Sequence, residues 1–221
     1  MDTTALFLTL RLALTTTIIL MAIALPTAHW LTTTRTPLKA PIQALIALPL
    51  VLPPTVLGFY LLVLLGPLTP IGRSITNALG HPLAFSFSGL LIGSIIYSLP
   101  FAIQPLVSGF SAIPTTYAET AATLGAPPLK IFRAITLPLA KSSFITAAVL
   151  TFTHTVGEFG VVLMLGGNIP GATRTLSISL FDQVQDFNYA AANRTAAILL
   201  AFSFAALLLI YARPHKRAAR A

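Results

Sequence analysis

Residues 12–34 read LALTTTIILMAIALPTAHWLTTT, a run without a single Asp, Glu, Lys or Arg. A helix needs about 20 mainly apolar residues to cross the hydrocarbon core of a bilayer, and this run supplies them. Comparable runs recur and predict five spans, near residues 8–30, 43–66, 84–112, 143–166 and 192–212. Helix is the required conformation, because an unpaired backbone N–H or C=O in lipid costs several kcal/mol. A barrel is excluded: the runs are continuously apolar, whereas barrel strands alternate at period two. The expected fold class is all-α and polytopic, a single membrane domain over residues 1–221.

Composition points the same way. Of the 221 residues, 56% are hydrophobic and only 8% charged, and mean hydropathy is +0.88; soluble domains carry roughly 25% charged residues. This chain cannot cover itself with a water-compatible surface, so its solvent is the lipid bilayer. The net charge of +8 does not signal nucleic acid, because the basic residues sit singly between apolar runs or at the carboxyl end rather than in a patch. The chain has no Cys, which excludes disulfides, thiolate metal sites and cysteine nucleophiles. No metal site and no catalytic residue is expected. Thr27-Ala28-His29 has the look of a signal-peptide cleavage region, but Asp2 offsets the terminal amine and Arg11 is the only nearby base. The first run is expected to remain as a span.

Basic residues set the orientation. Arg35 and Lys39 lie between spans one and two, Lys130, Arg133 and Lys141 between three and four, and Arg213, Lys216, Arg217 and Arg220 in the tail. The opposite face holds Arg11, Arg73, Arg174 and Arg194. Nine against four places the amino terminus outside and the carboxyl terminus in the cytoplasm. Proline interrupts the second and third spans at Pro49, Pro53, Pro54, Pro100 and Pro105, and each removes a backbone donor. Packing kinks account for single prolines; the dense Leu52-Pro53-Pro54-Thr55 cluster predicts a broken helix beside a pathway.

The connection from about 111 to 142 is cytoplasmic by the charge rule and longer than a connection needs to be. Thr116 to Leu124 predicts a short helix, with Glu119 in its first turn, where the helix dipole favours an anion. Gly125 is a natural stop, and Pro127 and Pro128 bar continuation. A short, sharply ended helix among basic residues reads as a docking element. In Glu119-Thr120-Ala121-Ala122, then Gly125, Ile135, Leu137 and Pro138, the loop resembles that of the membrane subunits of type I ABC importers. Those subunits carry Glu-Ala-Ala, a Gly six residues after the Glu, and Ile-x-Leu-Pro further on. Thr120 departs from the usual Ala and is still small.

The resemblance extends from about residue 10 to 212. Leu48 to Gly58, Gly157-Glu158-Phe159-Gly160 and Asn168-Ile-Pro-Gly-Ala-Thr-Arg174-Thr175 resemble the molybdate branch of these permeases. Glu-Phe-Gly is shared with the sulfate branch, and sulfate and tungstate remain alternative substrates. The resemblance implies a multi-pass subunit of the bacterial inner membrane whose short helix seats in a groove of the ATPase. It implies two ABC ATPase subunits that bind ATP and Mg, an extracytoplasmic molybdate-binding protein, and import by alternating access. This chain would bind no cofactor; it has no Gly-x-x-x-x-Gly-Lys-Ser/Thr phosphate loop. A second copy is expected, because one five-helix unit is too small to enclose a pathway.

Polar residues in the spans have two readings each. His154 and Glu158, four apart, would share a helix face and form a packing pair, a gate, or the relay of a proton-coupled carrier, which is the alternative of a different class. A naked carboxylate would repel an oxyanion, so Glu158 is expected to be neutralised by a hydrogen bond or by a base such as Arg174. Thr151, Thr153 and Thr155 offer hydroxyls to an ion or to neighbouring helices. With Pro53 and Pro54 they complete the candidate pathway. An intramembrane enzyme would need converging acid, base or nucleophile, which four scattered histidines do not supply.

Overall fold

The computed structural model describes residues 2–212, and among them the elements are all helical. The first half contains α1 (Thr3–Thr33), α2 (Lys39–Val51), α3 (Pro54–Leu65), α4 (Pro70–Leu79) and α5 (Phe87–Ser111). Then come α6 (Thr115–Thr123), α7 (Pro128–Ile131), a π-helical turn (Phe132–Thr136) and α8 (Leu137–Leu139). The chain continues through α9 (Lys141–Gly157), α10 (Gly160–Gly166), α11 (Leu176–Gln185) and α12 (Tyr189–Tyr211). By length and composition α1, α5 and α12 each suffice to cross a bilayer, and two bent pairs bring the total to five. The bends are 112° between α2 and α3 and 72° between Pro128–Leu139 and α9. The tail residues Arg213, Lys216, Arg217 and Arg220, used in the charge rule, lie outside the described residues.

The core is the seam between α1, α5 and α9. Ala24, Ala28, Ala102 and Ala147 are fully buried there, and their small side chains let the helix backbones approach closely. Leu20, Leu31, Ile103 and Leu106 fill the remaining space. Lipid tails are as apolar as leucine, so close packing and hydrogen bonds, more than the hydrophobic effect, hold such helices together. Several α1 hydroxyls follow the same logic: Thr9, Thr17 and Thr27 each donate to the carbonyl four residues earlier, at 2.7 Å.

The break expected at the tandem prolines occurs, and the single prolines leave their helices continuous. Helix runs through Pro49, Pro100 and Pro105, and also through Pro26 in α1. A lone proline deletes one hydrogen bond, which neighbouring helices can absorb. The tandem pair does more, because a residue preceding proline is pushed out of the α region. Leu52 and Pro53 are accordingly both extended, with ψ of 136° and 134°, and Pro54 restarts the helix as its first residue. The fourth span differs from the expected single run over 143–166. It breaks at Glu158 and Phe159, where Glu158 is extended (ψ 132°) and no proline is present. Two capped helices also lie outside the five runs. Thr69 caps α4, Pro70 opens it, and left-handed Gly80 (φ +76°) closes it; Thr175 caps α11.

The two breaks meet. A Cβ added to Gly160 would stand 2.8 Å from Cβ of Pro54, and one added to Gly58 would stand 2.8 Å from Cβ of Met164. The start of α10 is thus pressed against the start of α3, glycine to proline. Gly160→Ala is therefore expected to cost about 1–3 kcal/mol by overpacking and to lower the thermal midpoint of the detergent-purified protein. Gly157→Ala, with nothing within 4 Å of the added carbon, should leave it unchanged. Equal midpoints for the two variants would show that the breaks do not hold each other.

Candidate functional site

The loop between α5 and α9 is almost all surface. No residue of α6 is buried, and Leu124 is 83% exposed. Its end follows the Gly125 expectation in detail. Gly125 is left-handed (φ +82°), its N–H reaches Ala122 O at 2.9 Å, and the Ala126 N–H reaches Ala121 O at 3.0 Å. These are the two bonds of a Schellman cap. The helix begins at Thr115, one residue earlier than expected, so Glu119 stands beyond the first turn and α6 has no acidic residue there. The dipole role assigned to Glu119 is corrected accordingly; its side chain and that of Thr120 are exposed.

Ile135, Leu137 and Pro138 explain the next turn. Pro138 has no N–H for Ala134 O, and its ring crowds that carbonyl. The chain upstream widens into the π-turn Phe132–Thr136, closed by the Leu137 N–H on Phe132 O. Phe132 stacks against His29 and Phe110, with centroids 4.7 and 6.1 Å away, tying this turn to the ends of α1 and α5. Pro127, Leu129, Lys130, Arg133 and Ala134 line an open cleft of about 400 Å³ beside α6.

On the other side of the molecule, residues 168–175 form a closed, bonded loop. Ile169 O accepts the N–H groups of Thr173 and Arg174 at 2.9 and 3.0 Å, and Thr173 Oγ1 donates to Gly166 O at 2.6 Å. Asn168 is left-handed (φ +57°). Its amide donates to both carboxylate oxygens of Asp182 at 2.9 and 3.0 Å, and its carbonyl accepts Arg174 Nε at 2.8 Å. Arg174 therefore pairs with Asp182, at 3.5 Å, and is not the base that neutralises Glu158. Asp182, one of five acidic residues in the chain, is the partner that the reading of the sequence missed.

Glu158 and His154 are not partners either. Glu158 lies past the end of α9 on extended backbone, where helical spacing no longer applies. Its carbonyl accepts from Ser177 Oγ; its carboxyl oxygens are buried and have no hydrogen-bond partner among the described residues. His154 Nδ1 instead meets Ser98 Oγ at 2.9 Å, and Ser98 Oγ meets Thr155 Oγ1 at 3.0 Å. Thr155 in turn donates to Thr151 O at 3.0 Å. Phe101 stacks on the His154 ring at 3.9 Å. Of the three threonines, Thr155 thus bonds helix to helix, while the hydroxyls of Thr151 and Thr153 are buried and have no partner among the described residues. Pro53 and Pro54 stand at the other break, with Pro54 against Gly160 and Pro53 exposed.

A helical core with two facing breaks and an exposed, capped helix on a long loop defines a polytopic transport subunit. Residues 21–217 match the family described as "Binding-protein-dependent transport system inner membrane component", and the chain belongs to that family of multi-pass inner-membrane permeases. It is 52% identical over 211 residues to the molybdenum transport system permease protein ModB of Azotobacter vinelandii, covering 95% of this chain and 93% of that one. The ModB of Escherichia coli K12 is 33% identical over 78% of this chain and 76% of its own length. The sulfate transport system permease CysT of Salmonella typhimurium is 32% identical over 82% of this chain and 64% of its own length. The inward-facing methionine ABC transporter MetNI shares the fold, with a TM-score of 0.73 at 18% identity over 96% of this chain and 95% of that one. So does a bacterial alginate ABC transporter, at 0.74 and 16% over 94% and 75%. The fold class is thus the type I importer fold that the sequence predicts.

The bonded loop supplies a test. Asn168→Gly keeps the left-handed backbone and loses the side-chain bonds, which should cost about 1 kcal/mol for these partly exposed groups. Asn168→Ala adds about 1–2 kcal/mol of left-handed strain. Thermal unfolding should rank wild type above Asn168→Gly above Asn168→Ala; a wild-type midpoint for Asn168→Gly would remove the loop's assigned anchor.

Proposed function

We propose that this chain is the membrane-spanning permease of an ATP-driven importer of molybdate, working by alternating access with ATP and Mg held by two partner ATPase subunits. The observation that carries the coupling role is α6. An isolated helix of its 9 residues falls well below the about 12–15 residues at which helices become marginal in water. Yet it is capped and buries none of its own residues. A helix maintained in that state is a surface for a partner, with Glu119, Thr120, Ala121, Ala122 and Gly125 at the contact. Ile135, Leu137 and Pro138 form the turn that joins it to α9. The 52% identity to a molybdenum permease, against 32% to a sulfate permease, favours molybdate over sulfate. A second copy completes the pathway at the facing breaks, near Pro53, Pro54, Thr151, Thr155 and Glu158, and an external binding protein delivers the ion. Arg174 serves as structural support for that outer face. The His154–Glu158 relay that a proton-coupled carrier would need is not formed.

In proteoliposomes, molybdate uptake should require the ATPase subunit, the loaded binding protein and ATP, and should not respond to a pH gradient. Gly125→Trp should insert normally but lose most ATPase co-purification and uptake, since contacts at such hot spots carry about 2 kcal/mol or more. Uptake by the isolated chain on an imposed pH gradient, or full coupling in Gly125→Trp, would overturn the reading.

Topology is tested independently. The charge asymmetry places the α10–α11 loop outside, and Ala172 in it is exposed. In this cysteine-free chain, Ala172→Cys should react with an impermeant thiol reagent from the external side, and a reporter after Ala221 should be cytoplasmic. Labelling of Ala172→Cys only from the cytoplasmic side would invert the orientation.

A further inference from the structure

Gln43 on α2 and Gln104 on α5 are the one amide side chain of each helix. Both are exposed, as is Ser108, one turn beyond Gln104 on the same face. Neither amide makes a side-chain hydrogen bond among the described residues. A free amide turned toward acyl chains costs several kcal/mol, so these groups call for a polar neighbour: water, a second copy of the chain, or a ligand. They converge: Gln43, Gln104 and Ser108 line a single cavity of about 320 Å³, walled by Ile46, Ile103 and Val107. That volume is at the lower end of the roughly 300–1,000 Å³ of small-ligand sites.

We propose that this cavity between α1, α2 and α5 is a contact station for the transported oxyanion, with the Gln43 and Gln104 amides and the Ser108 hydroxyl as hydrogen-bond donors. The inference rests on the transport function proposed above. Three features fit an anion in transit. None of the five acidic residues of the chain, Asp2, Glu119, Glu158, Asp182 and Asp186, lines the cavity. Each amide offers two N–H donors and the hydroxyl one, enough to replace part of a hydration shell. Neutral donors hold an anion less tightly than Lys or Arg, and a conduction path needs sites weak enough to leave. Among the unpartnered groups at the facing breaks and the helix seam, Ser94, Thr151 and Glu158 are at most 3% exposed, so in this conformation they offer an ion no open surface. Gln43 lies near the start of α2 and Gln104 near the end of α5, the ends that the charge rule places on the cytoplasmic side. The station therefore belongs to the exit half of the path.

Two measurements on the assembled transporter test this. First, Gln43→Glu and Gln104→Glu preserve shape and add a negative charge facing the ion. Molybdate uptake should fall at least about 10-fold, the effect of about 1.4 kcal/mol of repulsion. ATP hydrolysis stimulated by the loaded binding protein should remain within about twofold of wild type, so that ions moved per ATP collapse. Second, Gln43→Cys and Gln104→Cys should react with a water-soluble thiol reagent, whereas Phe204→Cys, 62% exposed on α12 and facing lipid, should not. Wild-type uptake in both Glu variants, or no labelling at 43 and 104, would overturn the station. So would parallel loss of assembly and ATP hydrolysis in the Glu variants, which would assign the amides to packing. Absence of ATP-driven molybdate uptake by the unmodified complex would instead overturn the transport function itself, and the station with it.

Discussion

In lipid every backbone donor and acceptor must find a partner within the protein, and the structure is organised around the two places where the chain violates that rule. At Leu52–Pro53 and at Glu158–Phe159 the helices stop in the middle of apolar segments. Each interruption frees backbone groups that no water in the hydrocarbon can satisfy. The fold places the two together, with Gly160 against Pro54 and Gly58 against Met164, so that each break covers one side of the other; Glu158 is buried while Pro53 stays exposed. The long helices α1, α5 and α9 form the frame that makes this possible, and their alanine-rich contacts fix it to within a side chain's width.

The opposite end of the molecule works by the reverse logic. The breaks are packed against each other, whereas α6 is displayed with its carboxyl end closed at Gly125 and none of its residues buried. The π-turn and its aromatic partners His29 and Phe110 join that helix to the ends of α1 and α5. One region thus sets irregular backbone against irregular backbone. The other tolerates exposure because its backbone is helical and its carboxyl end is capped.

Much of this was legible in the residues. Hydropathy located the spans to within a few positions, because lipid leaves a segment that long no alternative to helix. The tandem Pro53–Pro54 announced its break, since two successive residues before proline cannot both stay helical. Gly125 announced the end of α6. What escaped was tertiary. The break at Glu158 has no proline; what the structure shows there is α3 packed against Gly160 and Ser177 bonded to the Glu158 carbonyl. Spacing suggested a His154–Glu158 pair, but spacing counts only while the helix lasts. Charge suggested Arg174 for Glu158, but Asp182 is nearer, brought there by a loop whose left-handed Asn168 is not readable from composition. The helices α4 and α11 carried their signs in Thr69-Pro70, Gly80 and Thr175, and were passed over because they are too short to span. Gln43 and Gln104 drew no notice as single polar residues in apolar runs, and only the cavity unites them.

The corner at Ala140 has a mechanical meaning. The segment Pro128–Leu139 joins α9 at 72°, and Ala140 itself is buried, 2% exposed. Two rods fixed at nearly a right angle act as a bell crank. A push delivered along the first arm is converted into a sideways swing of the second. Because α9 leads straight to the break at Glu158, the arm Pro128–Leu139 and that break stand at the two ends of one lever, the geometry that the coupling role proposed above would use.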